Sequence, residues 1–532
     1  MTIAMPETSE KELTASYWMS LEDFSIFFSS DQSLSLHEGL ARRLNETRNF
    51  IDYLLSKRIQ VYGLTTGFAD LRNTAVDVDK AALLSRNMIQ SHDAGIGTPL
   101  PSDVTLGAMV LRAHSLSKGY SGFSLESLET LIQMINARII PEVPCTGSLG
   151  ASGDLAFLAR LGMAMMGGAV PVAYRGEKMT ASKALSLAGI APMQPKAKEG
   201  LALTNGTSFM ASMMGLAYLK QMKYLENLFA LLGLFLNATS AIDAAFYEMV
   251  HTVRYQKGQV RVARILRPYL QKPDSSEVQN DYCIRCLPQI LGPKLEAILE
   301  QRGRVENELN AITDNPLIFC GSEISPDVDP SRIIPFNGLD WTVVSGGNFH
   351  GETSSTVADT IAILNAKIAL TLERQLTYML NPFRNGRKFP IYLVADSKRA
   401  GFLSGYMISQ YTGNALAHKI SLLAHPASTT NITSANESED VVSYGATAAQ
   451  KLLDQQKHMN ELLAIHLITT AQAYSLVRAQ RKEKNALCEA LFEKICSRIC
   501  FPQMEDEGFD EKYGAALALL ESGELGDKNA LL

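Results

Sequence analysis

The sequence predicts a mainly α protein: a bundle of long helices, with a smaller mixed region ahead of it. Three observations carry this. Apolar residues recur at three- and four-residue steps through long runs at 208–248, 293–313, 354–381, 402–424 and 445–480. Extended segments are few. Glycine and serine are gathered into short loops, each joined to a helix. The chain has 532 residues and is 46% apolar, enough for one very large helical core or for two or three domains around a shared one.

In chain order, Ser124–Ile140 reads as an amphipathic helix opening on a Ser N-cap. "RIIPEVP" (138–144) and "AVPVAYRGEKM" (169–179) are the best extended segments, the second a small hairpin. Several of the later helical runs are apolar nearly all round, as in the middle of a bundle or at a subunit interface. The most hydrophobic window, 227–242, is shorter than a bilayer span and is interrupted by Asn237, Thr239 and Ser240, so it predicts a helix buried in protein. A soft boundary at 193–200 divides an N-terminal region, 1–200, from the helical bundle, 201–480. A helical tail, 481–532, follows, and its acidic stretch at 503–514 reads as solvated surface.

A net charge of −6 without any Lys/Arg run argues against a nucleic-acid partner. The polar, acidic opening lacks the features of a secretory signal, and no membrane segment is expected. Seven cysteines, irregularly spaced, fit a reducing cytoplasm better than a disulfide framework. Cys283 and Cys286 form a lone CxxC with no second ligand pair, so buried thiols are expected there and no metal site.

The loops to explain are "VYGLTTGFAD" (61–70), "SHDAGIGTP" (91–99), "GSLGASGD" (147–154), "LTNGTSF" (203–209), "VSGGNFHGE" (344–352) and "TSANESED" (433–440). In "GSLGASGD", glycines before a helix raise the thought of a phosphate site, but neither a P-loop nor a dinucleotide fingerprint is present. A flexible loop with a helix capped at Asp154 leaves the order Ala-Ser-Gly unexplained. Covalent chemistry accounts for it. Gly153 has no Cβ, so its nitrogen can press against the Ala151 carbonyl carbon and close a five-membered ring. Loss of two waters, one taking the Ser152 hydroxyl, makes a methylidene-imidazolone, an electrophile that side chains do not otherwise supply.

Together with "YCIRCLPQ" (282–289), "TDNPL" (313–317) and "AHPAS" (424–428), these loops resemble the aromatic amino acid ammonia-lyase and aminomutase family. The histidine ammonia-lyase branch is the nearest, and the motifs run in family order from about residue 60 to 450. The resemblance implies an ammonia-lyase/fumarase-like fold, a homotetramer, and a methylidene-imidazolone (MIO) formed from Ala151, Ser152 and Gly153 with no external cofactor. It implies Tyr62 as the base that takes the β-proton, a role that requires the site to favour its phenolate, and Arg285 as the bidentate clamp on the substrate carboxylate. Asn205 and Tyr282 would hydrogen-bond around the amine and the prosthetic group, while Gln279 and Phe349 line the pocket. His92 and Glu439, the latter counted without gaps from Pro426, match the histidine branch, because a carboxylate accepts strongly from an imidazole N–H. The expected reaction is therefore L-histidine to trans-urocanate and ammonia. The alternatives are phenylalanine or tyrosine ammonia-lyase, a 2,3-aminomutase, and a non-catalytic helical assembly. Phe157, Arg160, Ala69, Ser438 and Val441 depart from the histidine pattern.

Overall fold

The computed structural model describes residues 10–29, 32–271, 278–481, 483–527 and 531. It is mainly α, with 58% helix and 9% strand, as the periodicity predicts. Nine helices matter here: α1 (Ala81–His92), α2 (Ser102–Ser117), α3 (Leu155–Met165), α4 (Glu199–Thr204), α5 (Ser208–Ala238), α6 (Leu287–Leu309), α7 (Glu352–Leu380), α8 (Met407–Leu423) and α9 (Gly445–Arg478).

The chain forms two compact units, each assembled from three chain segments: 1–216, 303–358 and 426–450 in the first, 217–302, 359–425 and 451–532 in the second. The stretches expected from composition are continuous in sequence, whereas the divisions between the units fall within α5, α6, α7 and α9.

In the first unit the expected hairpin is present: Pro171–Tyr174 pairs antiparallel with Glu177–Thr180, and Ile140–Pro141 adds on its other side. A second sheet, Leu317–Cys320, Leu339–Val344 and Ile334–Phe336 in spatial order, is not apparent in the sequence. Its Trp341 stacks on Phe50 at 4.7 Å and shares a core with Ile51, Leu54, Val61 and Leu64. Ser124 caps its helix by accepting from Ser127 N–H, and that helix runs Leu125–Asn136, shorter than the expected run to Ile140.

In the second unit, segments of α5, α7, α8 and α9 pack around a buried amide layer. Asn365 donates to Gln221 Oε1 at 2.9 Å and to Gln455 Oε1 at 3.2 Å, and Gln455 donates to Ala362 O and Ile420 O. The run expected to continue to 248 stops at Ala238. Thr239 Oγ1 bonds back to Phe235 O, and Ser240 takes a φ of 50°, which an L-residue cannot continue as a right-handed helix. By length and composition α7 could cross a membrane, but 61% of its apolar window is buried inside the protein.

His466 of α9 is fully buried, with Nε2 2.9 Å from Gln375 Oε1, and burial pushes its pKa down from 6.5 to about 3. Between those values the unfolded chain binds a proton that the folded chain refuses. The stability is therefore complete above pH 6.5 and is lost as pH falls, by about 2 kcal/mol at pH 5. His466→Gln is expected to flatten the acid side of a plot of Tm against pH. An unchanged slope would assign the acid sensitivity to other groups.

Candidate active site

Three mutually packed helices converge their ends: α1 finishes at His92, α3 begins just after Gly153, and α4 finishes before Asn205. The first unit thus collects His92, Ala151, Ser152, Gly153 and Asn205, with Tyr62, Phe349 and Glu439 on loops tied to them.

The Ala-Ser-Gly loop is tightly held. Gly150 and Gly153 have φ of 75° and 77°. A Cβ on Gly153 would lie 2.2 Å from Gly206 O, and one on Gly150 would lie 2.2 Å from Ser443 Oγ. Leu149 O accepts from Tyr444 N at 2.8 Å, and Gly150 O accepts from Gly351 N and Ser443 Oγ, both at 3.0 Å. Asp154 N donates to Gly206 O at 2.7 Å.

Asp154 does not cap its own helix, contrary to the simple reading of the sequence. Its side chain makes no bond to α3 and instead accepts from Phe209 N at 2.9 Å and Met210 N at 3.0 Å, in the first turn of α5, and from Ser148 Oγ at 2.9 Å. Burial raises its pKa from 3.8 to about 7 despite these donors. The carboxyl ties the loop to the start of α5.

Ser152 Oγ donates to Glu439 Oε1 at 2.5 Å across 287 residues of sequence. Glu439 Oε2 accepts from Ser434 Oγ at 3.1 Å, and Ala435, Asn436 and Glu437 all have positive φ, so a tight turn delivers the carboxylate. His92 is half-buried. Burial lowers its pKa, while a bond with the Met88 backbone and the charge of Glu439 oppose that shift.

Tyr62 sits between the buried anchors Val61 and Leu64, and its hydroxyl accepts from Ala69 N at 3.1 Å. A Cβ on Gly63 would meet Leu201 Cδ2 at 2.4 Å, so the loop lies against α4. Ala69 has a φ of 48°, a conformation that favours glycine. Arg72 Nη1 donates to Ala69 O at 3.2 Å and to Ser438 Oγ at 3.3 Å, linking the Tyr62 loop to the neighbour of Glu439. Phe349 is half-buried, and its loop bonds to the Ala-Ser-Gly loop through Gly351 and to Val441 O through His350 Nε2 at 3.1 Å.

Two departures from the histidine pattern have packing roles. Phe157 is buried edge-on against Phe209 at 5.5 Å, and Arg160 Nε lies 3.0 Å from a carboxylate oxygen of Asp93, the residue after His92.

Gln279, Tyr282 and Arg285 belong to the second unit. They line a cavity of about 450 Å³ with Arg374, Tyr378 and Arg384. Tyr282 is 68% exposed, and the Arg285 guanidinium lies 4.7 Å from its ring centroid. Arg285 Nε is buried with no hydrogen-bond partner among the described residues.

The family model for aromatic amino acid lyases matches residues 19–497, a span containing every residue named above for the site. The chain belongs to this family. It is thereby a carbon–nitrogen lyase. Among the relatives of this aromatic amino acid lyase, the histidine ammonia-lyase of Alkaliphilus oremlandii is 36% identical over 460 residues, 85% of this chain and 86% of that one. The histidine ammonia-lyase of Streptococcus pyogenes is 35% identical over 464 residues, 86% of each chain. The crystal structure of histidine ammonia-lyase from Trypanosoma cruzi superposes with a TM-score of 0.84 at 30% identity, covering 97% of this chain and 94% of that one. Pantoea agglomerans phenylalanine aminomutase, at 24% identity and a TM-score of 0.86, shares the fold.

Proposed function

We propose that this lyase converts L-histidine to trans-urocanate and ammonia, using an MIO electrophile made from Ala151, Ser152 and Gly153. The observation that carries the substrate assignment is the Glu439 carboxylate, delivered to Ser152 at 2.5 Å. An imidazole N–H is the substrate group that such an acceptor favours over a phenyl or phenol ring. The histidine ammonia-lyase relatives support the same reading.

The residues present fit the prosthetic group. Gly153 is pressed where a Cβ has no room, and the buried Asn205 Oδ1 has no hydrogen-bond partner among the described residues. When formed, the group supplies an electrophilic alkene that turns the substrate nitrogen into a leaving group. Loss of the Ser152 hydroxyl frees Glu439 Oε1 to accept from the imidazole. Tyr62, as the phenolate, takes the β-proton on its oxygen, which the Ala69 N–H holds in place. Arg285 clamps the carboxylate, and Asn205 and Tyr282 bond around the amine. Phe349 and Gln279 line the pocket.

We further propose a cytoplasmic homotetramer in which neighbouring chains complete each site. Its supports are the exposed Tyr282, the unpartnered Arg285 Nε, and exposed apolar residues on α7 (Ile363, Leu370) and α8 (Ile408, Tyr411, Leu422). All seven cysteines are free, as a reducing compartment requires.

The test is an ultraviolet assay with L-histidine, L-phenylalanine and L-tyrosine in turn. Urocanate is expected from histidine. Glu439→Gln is expected to lower kcat/KM for histidine by about tenfold or more, the effect of losing a hydrogen bond to a charged group, with little change for the other two. Equal losses on all three would remove Glu439 from substrate recognition, and product from phenylalanine or tyrosine alone would reassign the substrate.

A further inference from the structure

Arg112, in the middle of α2, is wholly buried, in a helix whose residues from Val104 to Ser117 are buried on every side. Nη1 donates to Thr313 O at 2.8 Å, and Nη2 donates to Ala202 O and, at 3.4 Å, to Asn205 O. The Asp314 and Asp154 carboxylates oppose the lowering that burial imposes on its pKa, and Lys198 pairs with Asp314 at 2.9 Å. Burying a guanidinium costs several kcal/mol before its partners are counted, and a helix that needed only to pack would carry an aliphatic residue here.

What the guanidinium touches gives the reason. A Cβ on Gly206 would lie 2.1 Å from Arg112 Nη1 and 2.7 Å from Thr313 O. The same Gly206 backbone, through its O, C and N, lies 2.2, 2.5 and 2.7 Å from where a Gly153 Cβ would be. Guanidinium, Gly206 backbone and Gly153 backbone are therefore stacked with no side chain between them.

We propose that Arg112 is a positioning residue for formation of the prosthetic group: by fixing the Ala202, Asn205 and Thr313 carbonyls it backs the Gly206 strip, which holds the Gly153 nitrogen against the Ala151 carbonyl carbon. This rests on the ring reading given above. In the step it serves, the Gly153 nitrogen bonds to the Ala151 carbonyl carbon. That carbonyl oxygen leaves as water with the amide protons of Gly153 and Ser152, leaving a C=N bond. The Ser152 hydroxyl leaves with the Ser152 α-proton as a second water, leaving the exocyclic C=C bond. No oxidant or reductant is needed. Lysine cannot take over Arg112's role, because a point ammonium lacks the planar fork that spans separate carbonyls.

The experiment is the intact mass of soluble protein whose helicity matches wild type by circular dichroism, for wild type, Arg112→Lys and Arg112→Met. Wild type is expected to be short by two waters. In the folded variants the cyclised fraction is expected to fall by about tenfold, even where Lys keeps the charge, as the loss of roughly one carbonyl hydrogen bond implies. Folded variants with the full two-water deficit overturn the proposal. So does loss of soluble protein, whether complete or with the surviving fraction fully cyclised, since Arg112 would then serve folding alone. A wild-type chain of full mass sinks the ring reading itself, and the proposal with it.

Discussion

Ser152→Ala is expected to lack the two-water mass deficit and to lose at least about 10³-fold in kcat/KM, equivalent to roughly 4 kcal/mol of transition-state stabilisation. Without the hydroxyl no second water can leave, so the exocyclic alkene cannot form. The fold has little stake in this side chain. Ser152 is half-buried, and the substitution removes the one side-chain hydrogen bond it makes among the described residues, that to Glu439, a contact to a charged group worth about 1.5–3 kcal/mol. In a chain of this size a loss of that order moves Tm by only a few degrees. Intact mass, circular dichroism and the ultraviolet assay on one preparation separate these effects. Turnover within tenfold of wild type would remove the electrophile from Ser152.

Tyr62→Phe tests the other half of the chemistry. The ring keeps its edge-on contact with Phe68, at 6.3 Å, and its place between Val61 and Leu64, while the oxygen that accepts from Ala69 N–H is lost. A positioned general base contributes about 10²–10⁴-fold, so kcat is expected to fall by that factor while the two-water mass deficit remains. The pairing is diagnostic: Ser152→Ala removes the two-water deficit and the rate together, Tyr62→Phe the rate alone. A Tyr62→Phe enzyme within threefold of wild type would pass the base role to another group.

Much of the site was legible because it is written in short loops whose residue order has chemical meaning. Gly153 could be read from sequence as the residue whose missing Cβ permits a close approach, and the structure supplies what approaches it, the Gly206 backbone. Glu439 was reached by counting from Pro426, and the three positive-φ residues before it form the turn that makes the count meaningful in space. Asp154 was read one way and serves another. A short polar residue before a helix is ordinarily that helix's cap, and nothing local reveals that the first turn of α5 lies closer to its carboxylate. Arg112 stands as a lone arginine in "VTLGAMVLRAHSLS", and that is the one local sign of a buried charge with a role; its partners lie far along the chain. The sheet of residues 317–344 is not legible in the sequence because its strands are short and separated by polar turns, so no period-two pattern lasts long enough to register.

The helical class and the chemistry of Ala151-Ser152-Gly153 are written in the residue order, because helical periodicity and covalent reactivity are both local properties of it. Tertiary structure alone decided which carboxylate meets Ser152, which helix Asp154 caps, and what stands behind Gly206. Those neighbours are brought together from up to 287 residues apart by helices packing on one another, and close packing fixes distances that no spacing along the chain contains.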